Sequence, residues 1–463
     1  MRPGACSLAG AARAGSIRGA RLGWAGRYDP AGFWTPAGGG GMRGHQLRIP
    51  RTAAPHSLLQ DHSGEQRVTN IELFFDLVYV FAVTQMSHHL LARPDVEGGL
   101  QTALLLALVW WAWVYTTWAT NWLDARRIPV RLMLIALMLV SLVLSAALPG
   151  AFGSRGLIVA GAYVLMQVGR SAFVAIAGRG RRVDKIFTRV TVWSVASGCV
   201  WVAGAFAGGH ARELVWLAAL GVDLLGDKTG FWTPGMGATT SDEWTIAGGH
   251  FAERCQAFII IALGESIVVI GQALSVRPDV GAAVVTAFGT AFAGSVALWW
   301  IYFDRSAEDG ARVIAGSPDP GRLANSAYHL IHPVMVAGII VAASADQEVL
   351  AHPGAAGRTA TSWMVIGGPV LFLAGHVLFK RVIWGVISWP RVTAAAALLL
   401  LLFLAPHVTA LVLNIVVVLV LVAVAAGDRF NLRGAAVTAG PRDSPAAAGP
   451  PGSPDLEQPG PPA

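Results

Sequence analysis

Residues 71–91 read IELFFDLVYVFAVTQMSHHLL, and residues 255–274 read CQAFIIIALGESIVVIGQAL. Each run has the roughly 20 residues a helix needs to cross about 30 Å of hydrocarbon. Neither alternates with a period of two, so neither suits a strand of a membrane barrel. Each carries an acid in its interior, Asp76 in the first and Glu265 in the second. A carboxylate at that depth costs about 2.5 kcal/mol or more, and residues so costly usually mark an ion, proton or substrate path.

Similar runs fill the chain near 100–121, 130–149, 156–176, 189–208, 211–226, 282–303, 328–346, 361–380, 391–406 and 408–426. The expected fold is therefore all-α, a polytopic transmembrane helical bundle of about 12 spans. The sixth and eleventh runs are the shortest, which leaves counts of ten or eleven open. Composition agrees: 54% of residues are hydrophobic and 13% charged, with a mean hydropathy of +0.55. A soluble domain carries roughly 25% charged residues.

The net charge of +7 is distributed as a topology signal, so no nucleic-acid partner is expected. Lys and Arg cluster in alternate loops, at Arg126, Arg127 and Arg131, then from Arg179 to Arg189, at Arg305, Arg312 and Arg322, and from Lys380 to Arg391. Enriched loops face the cytoplasm, which puts the protein in the cell inner membrane with both termini inside. The lipid bilayer is its expected partner, and those loops also have the charge to touch anionic head groups.

Residues 1–64, rich in Gly, Ala, Arg and Pro, have no secretory signal pattern, and Met42 is a candidate start within them. The Pro/Gly/Ala-rich stretch 434–463 reads as a disordered tail. The transmembrane domain then covers 65–433, split by the loop from Gly226 to Arg254 into candidate halves 65–226 and 250–433. Trp110-Trp111 matches Trp299-Trp300 at an offset of 189, Arg131-Leu132 matches Arg322-Leu323 at 191, and Asp76 shifted by 189 falls on Glu265. A parallel repeat would make those acids equivalent, facing each other across a pseudo-two-fold axis. Cys6, Cys199 and Cys255 have neither disulfide nor zinc spacing.

Glu72, Asp76 and Tyr79 fall at i, i+4 and i+7, one helix face. A carboxylate pair one turn apart can share a proton or a cation; alternatively Glu72 serves the positive end of the helix. Arg254, Ile261, Glu265 and Gln272 form a stripe, with Glu265 near the midplane between Gly264 and Ser266, small residues that admit a neighbouring helix. Either it binds a proton or cation, or it makes a structural hydrogen bond. Asn325, His329 and His332 repeat the i, i+4, i+7 spacing before Pro333, which suits a relay or metal pair, or interfacial packing. His250 and His88-His89 carry less signal. The stripe Trp111, Tyr115, Trp118 and Trp122 reads as an aromatic belt. No phosphate loop, nucleophile elbow, HExxH or dinucleotide motif occurs, and no cofactor is expected.

Four segments, NIELFFDLVYVFAVTQ, WWAWVYTTWATNWLD, HFAERCQAFIIIALGESIV and HLIHPVMVAGIIVAA, stand in this order. Together they resemble the bacterial low-temperature-requirement A family, from about Thr69 to Arg429. The resemblance implies a multi-pass inner-membrane protein linked by name to growth in the cold. Its motif positions fall on Glu72, Phe75, Asp76, Trp118, Asn121, Asp124, Glu253, Arg254, Gly264, Glu265, Ser266, His329 and His332, and it attaches no catalytic role to them. The leading expectation is a proton- or cation-coupled transporter of a small solute or ion, using its intramembrane carboxylates. Glu72, Asp76, Glu265, Arg254, His329 and His332 are the candidate ion or substrate residues. Tyr79, Gln272, Asn325, Glu253 and Asp124 stand behind them. A lipid-acting intramembrane enzyme, with carboxylates and imidazoles on a divalent metal, and a non-transporting sensor are the alternatives.

Overall fold

The computed structural model describes residues 57–60, 66–240, 243–244, 246–275, 280–304, 306–356 and 359–438. The expectations for residues 1–56, including Cys6 and Met42, and for residues 439–463 lie outside the described residues. The described chain is helical without a strand. Its helices are α1 (Asn70–Ala92), α2 (Val96–Trp122), α3 (Ile128–Ala147), α4 (Gly156–Ala177), α5 (Arg182–Phe206) and α6 (His210–Lys228). After the long loop come α7 (Gly248–Ser275), α8 (Ala282–Phe303), α9 (Ser306–Ala315) and α10 (Pro320–Ala324). A π-helical segment (Asn325–Ile331) leads into α11 (His332–Ala351), followed by α12 (Thr359–Trp384), α13 (Trp389–Leu400) and α14 (Ala410–Thr438).

Among the described residues, nine helices are long and apolar enough to cross a bilayer. The remaining three expected spans fall on α1, α6 and α13. Two acids dilute the hydropathy of α1, charged residues that of α6, and α13 continues only as a short apolar stretch to Phe403. Helix α14 runs to Thr438, slightly past the expected start of the tail.

The molecule buries polar groups and turns hydrocarbon outward. Leu132 and Leu139 on α3 are 60% and 64% exposed, and Phe403 is 81% exposed. Water would penalise such faces, whereas lipid tails are as apolar as leucine. Helix α2 is the opposite case, with every residue from Leu108 to Leu123 buried. A helix apolar all round belongs in the interior, and its tryptophans lie where they can form sites.

Packing partners recur between the two parts of the chain. Helix α1 packs on α3 as α7 packs on α11, α2 on α6 as α8 on α14, and α3–α4–α5–α6 stack as α11–α12–α13–α14 do. Helices α1 and α7 lie against each other. The two acids do not face each other across that contact: Asp76 is level with Arg254, and Thr84 with Glu265. Glu265 therefore stands about eight residues, or roughly 12 Å, further along the bundle than Asp76.

Helices α11 and α12 approach most closely through glycine. A Cβ on Gly338 would lie 2.5 Å from the Phe372 nitrogen and 2.7 Å from the Gly368 oxygen. Backbone atoms cannot rotate away as a side chain can. Gly338→Val should therefore destabilise the protein by about 1–3 kcal/mol, read as a lowered denaturation midpoint in detergent. Gly367→Val, with open space at its Cβ, is the control.

Candidate functional site

A fully buried guanidinium is held by two acids. Arg254 on α7 donates through Nε to Asp76 Oδ2 at 2.8 Å and through Nη2 to Asp76 Oδ1 at 2.5 Å. Its Nη1 reaches Glu72 Oε1 at 3.1 Å and Thr120 Oγ1 at 3.2 Å. The Trp113 indole adds a bond to Asp76 Oδ1 at 2.7 Å. All three charged side chains are at most 1% exposed. A bidentate pair with further donors is the geometry that offsets the desolvation of buried ions.

Glu72 combines both roles open to it in the sequence. Its Oε2 accepts from the Thr69 backbone N–H at 2.9 Å and from the Thr69 hydroxyl at 2.8 Å, capping the first turn of α1. Its Oε1 receives Arg254 and lies 3.1 Å from His250 Nε2. Asn121 sets the histidine's tautomer. Asn121 Oδ1 accepts from the Ala247 N–H at 2.8 Å, and its Nδ2 donates to the Ala247 carbonyl at 3.2 Å, which fixes the amide orientation. Nδ2 then also faces His250 Nδ1 at 3.4 Å, so that nitrogen accepts and Nε2 carries the proton toward Glu72. Two carboxylates thus share one guanidinium, with the His250 imidazole beside Glu72.

Glu265 has no such company. It is 1% exposed, lies in the interior of the 28-residue α7, and neither carboxyl oxygen has a hydrogen-bond partner among the described residues. The Thr84 hydroxyl of α1 faces it but donates to the Val80 carbonyl at 3.1 Å. A carboxylate left this way is expensive, whereas a protonated carboxyl is much less so.

A cavity of about 280 Å³ opens between α2, the end of α6, the loop residues Gly230, Phe231, Thr239 and Trp244, α10 and the π-helical segment. His329 lines it, 1% exposed, with both ring nitrogens unpartnered and its ring edge-on to Trp111 at 4.8 Å and Tyr115 at 5.5 Å. Asn325 donates Nδ2 to both oxygens of Asp227 at 2.9 and 3.0 Å, which turns its own Oδ1 away, buried and without a partner. Behind the Tyr115 ring, Arg170 of α4 lies 5.4 Å from the ring centroid and donates to the Ala112 carbonyl and Thr116. Trp110 joins this region to the ion cluster. Its indole donates to the His329 carbonyl at 2.8 Å, near Pro333, which has no N–H of its own, and its ring meets that of Trp113 at 4.9 Å.

The site residues expected from sequence thus separate. Glu72, Asp76 and Arg254 come together, and Asn325 and His329 share the cavity. His332 does not join them, because π-turns take more residues than the 3.6 assumed by i, i+7 spacing. Its Nε2 meets the Tyr302 hydroxyl at 2.7 Å and its Nδ1 the Ala327 carbonyl at 3.1 Å. Tyr79 bonds Ser141 at 3.2 Å, away from the acids. Gln272 and Glu253 are exposed, and Asp124 pairs with Arg127 at 3.4 Å in a loop. The aromatic stripe is buried, with Tyr115 and Trp118 lining the cavity. Sequence reasoning passed over Asp227, over Arg170 despite its place inside an apolar run, and over Asp346, buried beside Asn414 at 3.0 Å. His250 sits one turn before Arg254, a spacing that could have linked the two.

The model of the bacterial low temperature requirement A protein family matches residues 67–426. An uncharacterized protein of Rhizobium meliloti (strain 1021) is 34% identical over 381 residues, covering 82% of this chain and 93% of that relative. No solved structure matches.

Proposed function

The chain belongs to the bacterial low temperature requirement A family, and from that membership and its spans we propose that this integral membrane protein is a proton-coupled carrier of a small solute. Glu265 is its proton site. The observation that carries this reading is the pair of unpartnered carboxyl oxygens inside α7, where Asp76 and Glu72 are already held by Arg254. An acid that binds and releases a proton must have one state without a fixed cation beside it, and Glu265 alone of the three meets that requirement.

In this scheme the cavity at His329 receives the solute. The recurring packing pairs support two related halves able to rock about a shared contact, as carriers built from repeats do. The contact of α1 with α7 carries Glu265 at one level and the ion cluster at another. Trp113 and Trp110 extend that cluster to the His329 backbone. Protonation of Glu265 removes a charge from this contact and lets α7 shift against α1. By the distribution of Lys and Arg, the cavity faces the cytoplasm and the protein sits in the inner membrane.

The test is proton movement into vesicles holding the purified protein, driven by an imposed gradient. Wild type conducts protons in the presence of its solute, and Glu265→Gln does not. Equal proton movement in the two proteins would remove Glu265 from the mechanism.

A further inference from the structure

A second, smaller cavity lies where α7, α8, α11, α12 and α14 meet. It measures about 20 Å³, and its walls include Ser266, Ser295, Asp346, Asn414, Val365 and Pro369. A cavity needs roughly 10–15 Å³ to admit one water-sized occupant, so this one has room for a single small particle. None of its lining residues is Lys, Arg or His. Asp346 is 8% exposed, and its one hydrogen bond among the described residues comes from Asn414 Nδ2, at 3.0 Å on Oδ1. A carboxylate so buried and without a cation is costly.

The oxygens around that carboxyl are ones the fold leaves over. Asn414 turns Nδ2 toward Asp346, because only its NH2 group can donate, and Oδ1 is then free to accept. Helix serines commonly bond the carbonyl four residues back, as Ser194 and Ser344 do here. Ser266 and Ser295 make no such bond among the described residues. Their hydroxyls, like Asp346 Oδ2 and Asn414 Oδ1, are not enclosed on every side as those of Ser87 and Ser171 are. Pro369 supplies a fifth oxygen. It stands inside α12 and has no N–H, so the Val365 carbonyl one turn earlier lacks its helical partner. Gly368 seats that turn against α11: a Cβ there would lie 2.6 Å from the nitrogen of Ala342, another lining residue.

One carboxyl, one amide oxygen, two hydroxyls and one main-chain carbonyl form a hard donor set for a cation. A single carboxylate balances a single positive charge. Calcium takes about 6–8 oxygens, and magnesium keeps several waters that this space cannot hold. Interrupted helices of membrane carriers offer freed carbonyls to sodium in the same way. We propose that Asp346, Asn414, Ser266, Ser295 and the Val365 carbonyl bind one dehydrated sodium ion. The inference goes beyond the proton-carrier reading and uses none of Glu265, His329 or the Arg254 cluster. Because Ser266 follows Glu265 on α7, an ion here ties α7 to α8, α11 and α14 one residue from the proton site.

The test is binding of radioactive sodium to the purified full-length protein in detergent, in an alkaline choline buffer. Binding saturates at one ion per chain, and unlabelled sodium displaces it far better than the larger potassium ion does. Asp346→Asn abolishes binding, and Ser295→Ala weakens it about tenfold, the loss of one oxygen on a charged group. Sodium also raises the melting temperature of the wild type as its concentration rises, and choline does not. If Asp346→Asn fails to fold, the wild-type ion series and Ser295→Ala decide. No saturable sodium binding, equal displacement by potassium, or full binding in folded Asp346→Asn overturns the proposal. A cavity that takes only water gives the first of these results. Sodium binding without proton movement upholds this site and counts against the proton carrier. Proton movement without sodium binding does the reverse.

Discussion

Replacing Arg254 with Met should cost about 3–5 kcal/mol, because it leaves two buried carboxylates without their cation. That is a large share of a typical stability of roughly 5–15 kcal/mol. The loss exceeds the worth of the ion pair itself, since Asp76 and Glu72 stay where they are, at most 1% exposed, with only Trp113, His250 and the start of α1 to hold them. The variant should elute as aggregate or melt well below wild type in detergent. Adding Asp76→Asn and Glu72→Gln removes the stranded charges and should recover part of the loss. A triple variant no more stable than Arg254→Met would show that the arginine acts through packing alone, against the rings of Phe75 and Trp113 over which it lies.

Glu265→Gln should do the reverse: stability is kept and proton movement is lost to the level of empty vesicles. Glutamine has the shape of a protonated glutamic acid and no charge to desolvate, so removing the acid relieves the interior of a potential cost. With no proton to exchange, the coupled cycle stops. Glu265→Asp retains the chemistry with a shorter reach and should conduct at a reduced rate. The two substitutions together separate the acids of α1 from that of α7. On the proposed reading the first set serves the fold and the second the cycle.

The sequence announces the spans because bilayer thickness demands about 20 apolar residues wherever a helix crosses. It announces the Glu72–Asp76 face because both acids lie on one helix at i, i+4. The pairing of Asp76 with Arg254 is harder to see, since 178 positions separate the partners and only the docking of α1 on α7 joins them. The expectation that Asp76 and Glu265 face each other fails for the same reason. An offset of 189 in sequence does not fix the register of α1 against α7, which places Thr84 beside Glu265. The cavity is assembled from the end of α2, the end of α6, a glycine-rich loop and a π-turn. None of these has a periodicity that reveals which way Asp227 or His329 faces. Trp118 reads as belt from composition, yet the burial of α2 on every side makes it a wall.

Proton uptake is seen most directly at the Glu265 carboxyl itself. Infrared difference spectra of the reconstituted protein, taken between high and low pH, report the C=O stretch of a protonated carboxyl. A band should appear on acidification of the wild type, shift in Glu265→Asp and be missing in Glu265→Gln. The same band in Glu265→Gln, or none in the wild type at any pH at which the protein conducts protons, would contradict Glu265 as the proton site.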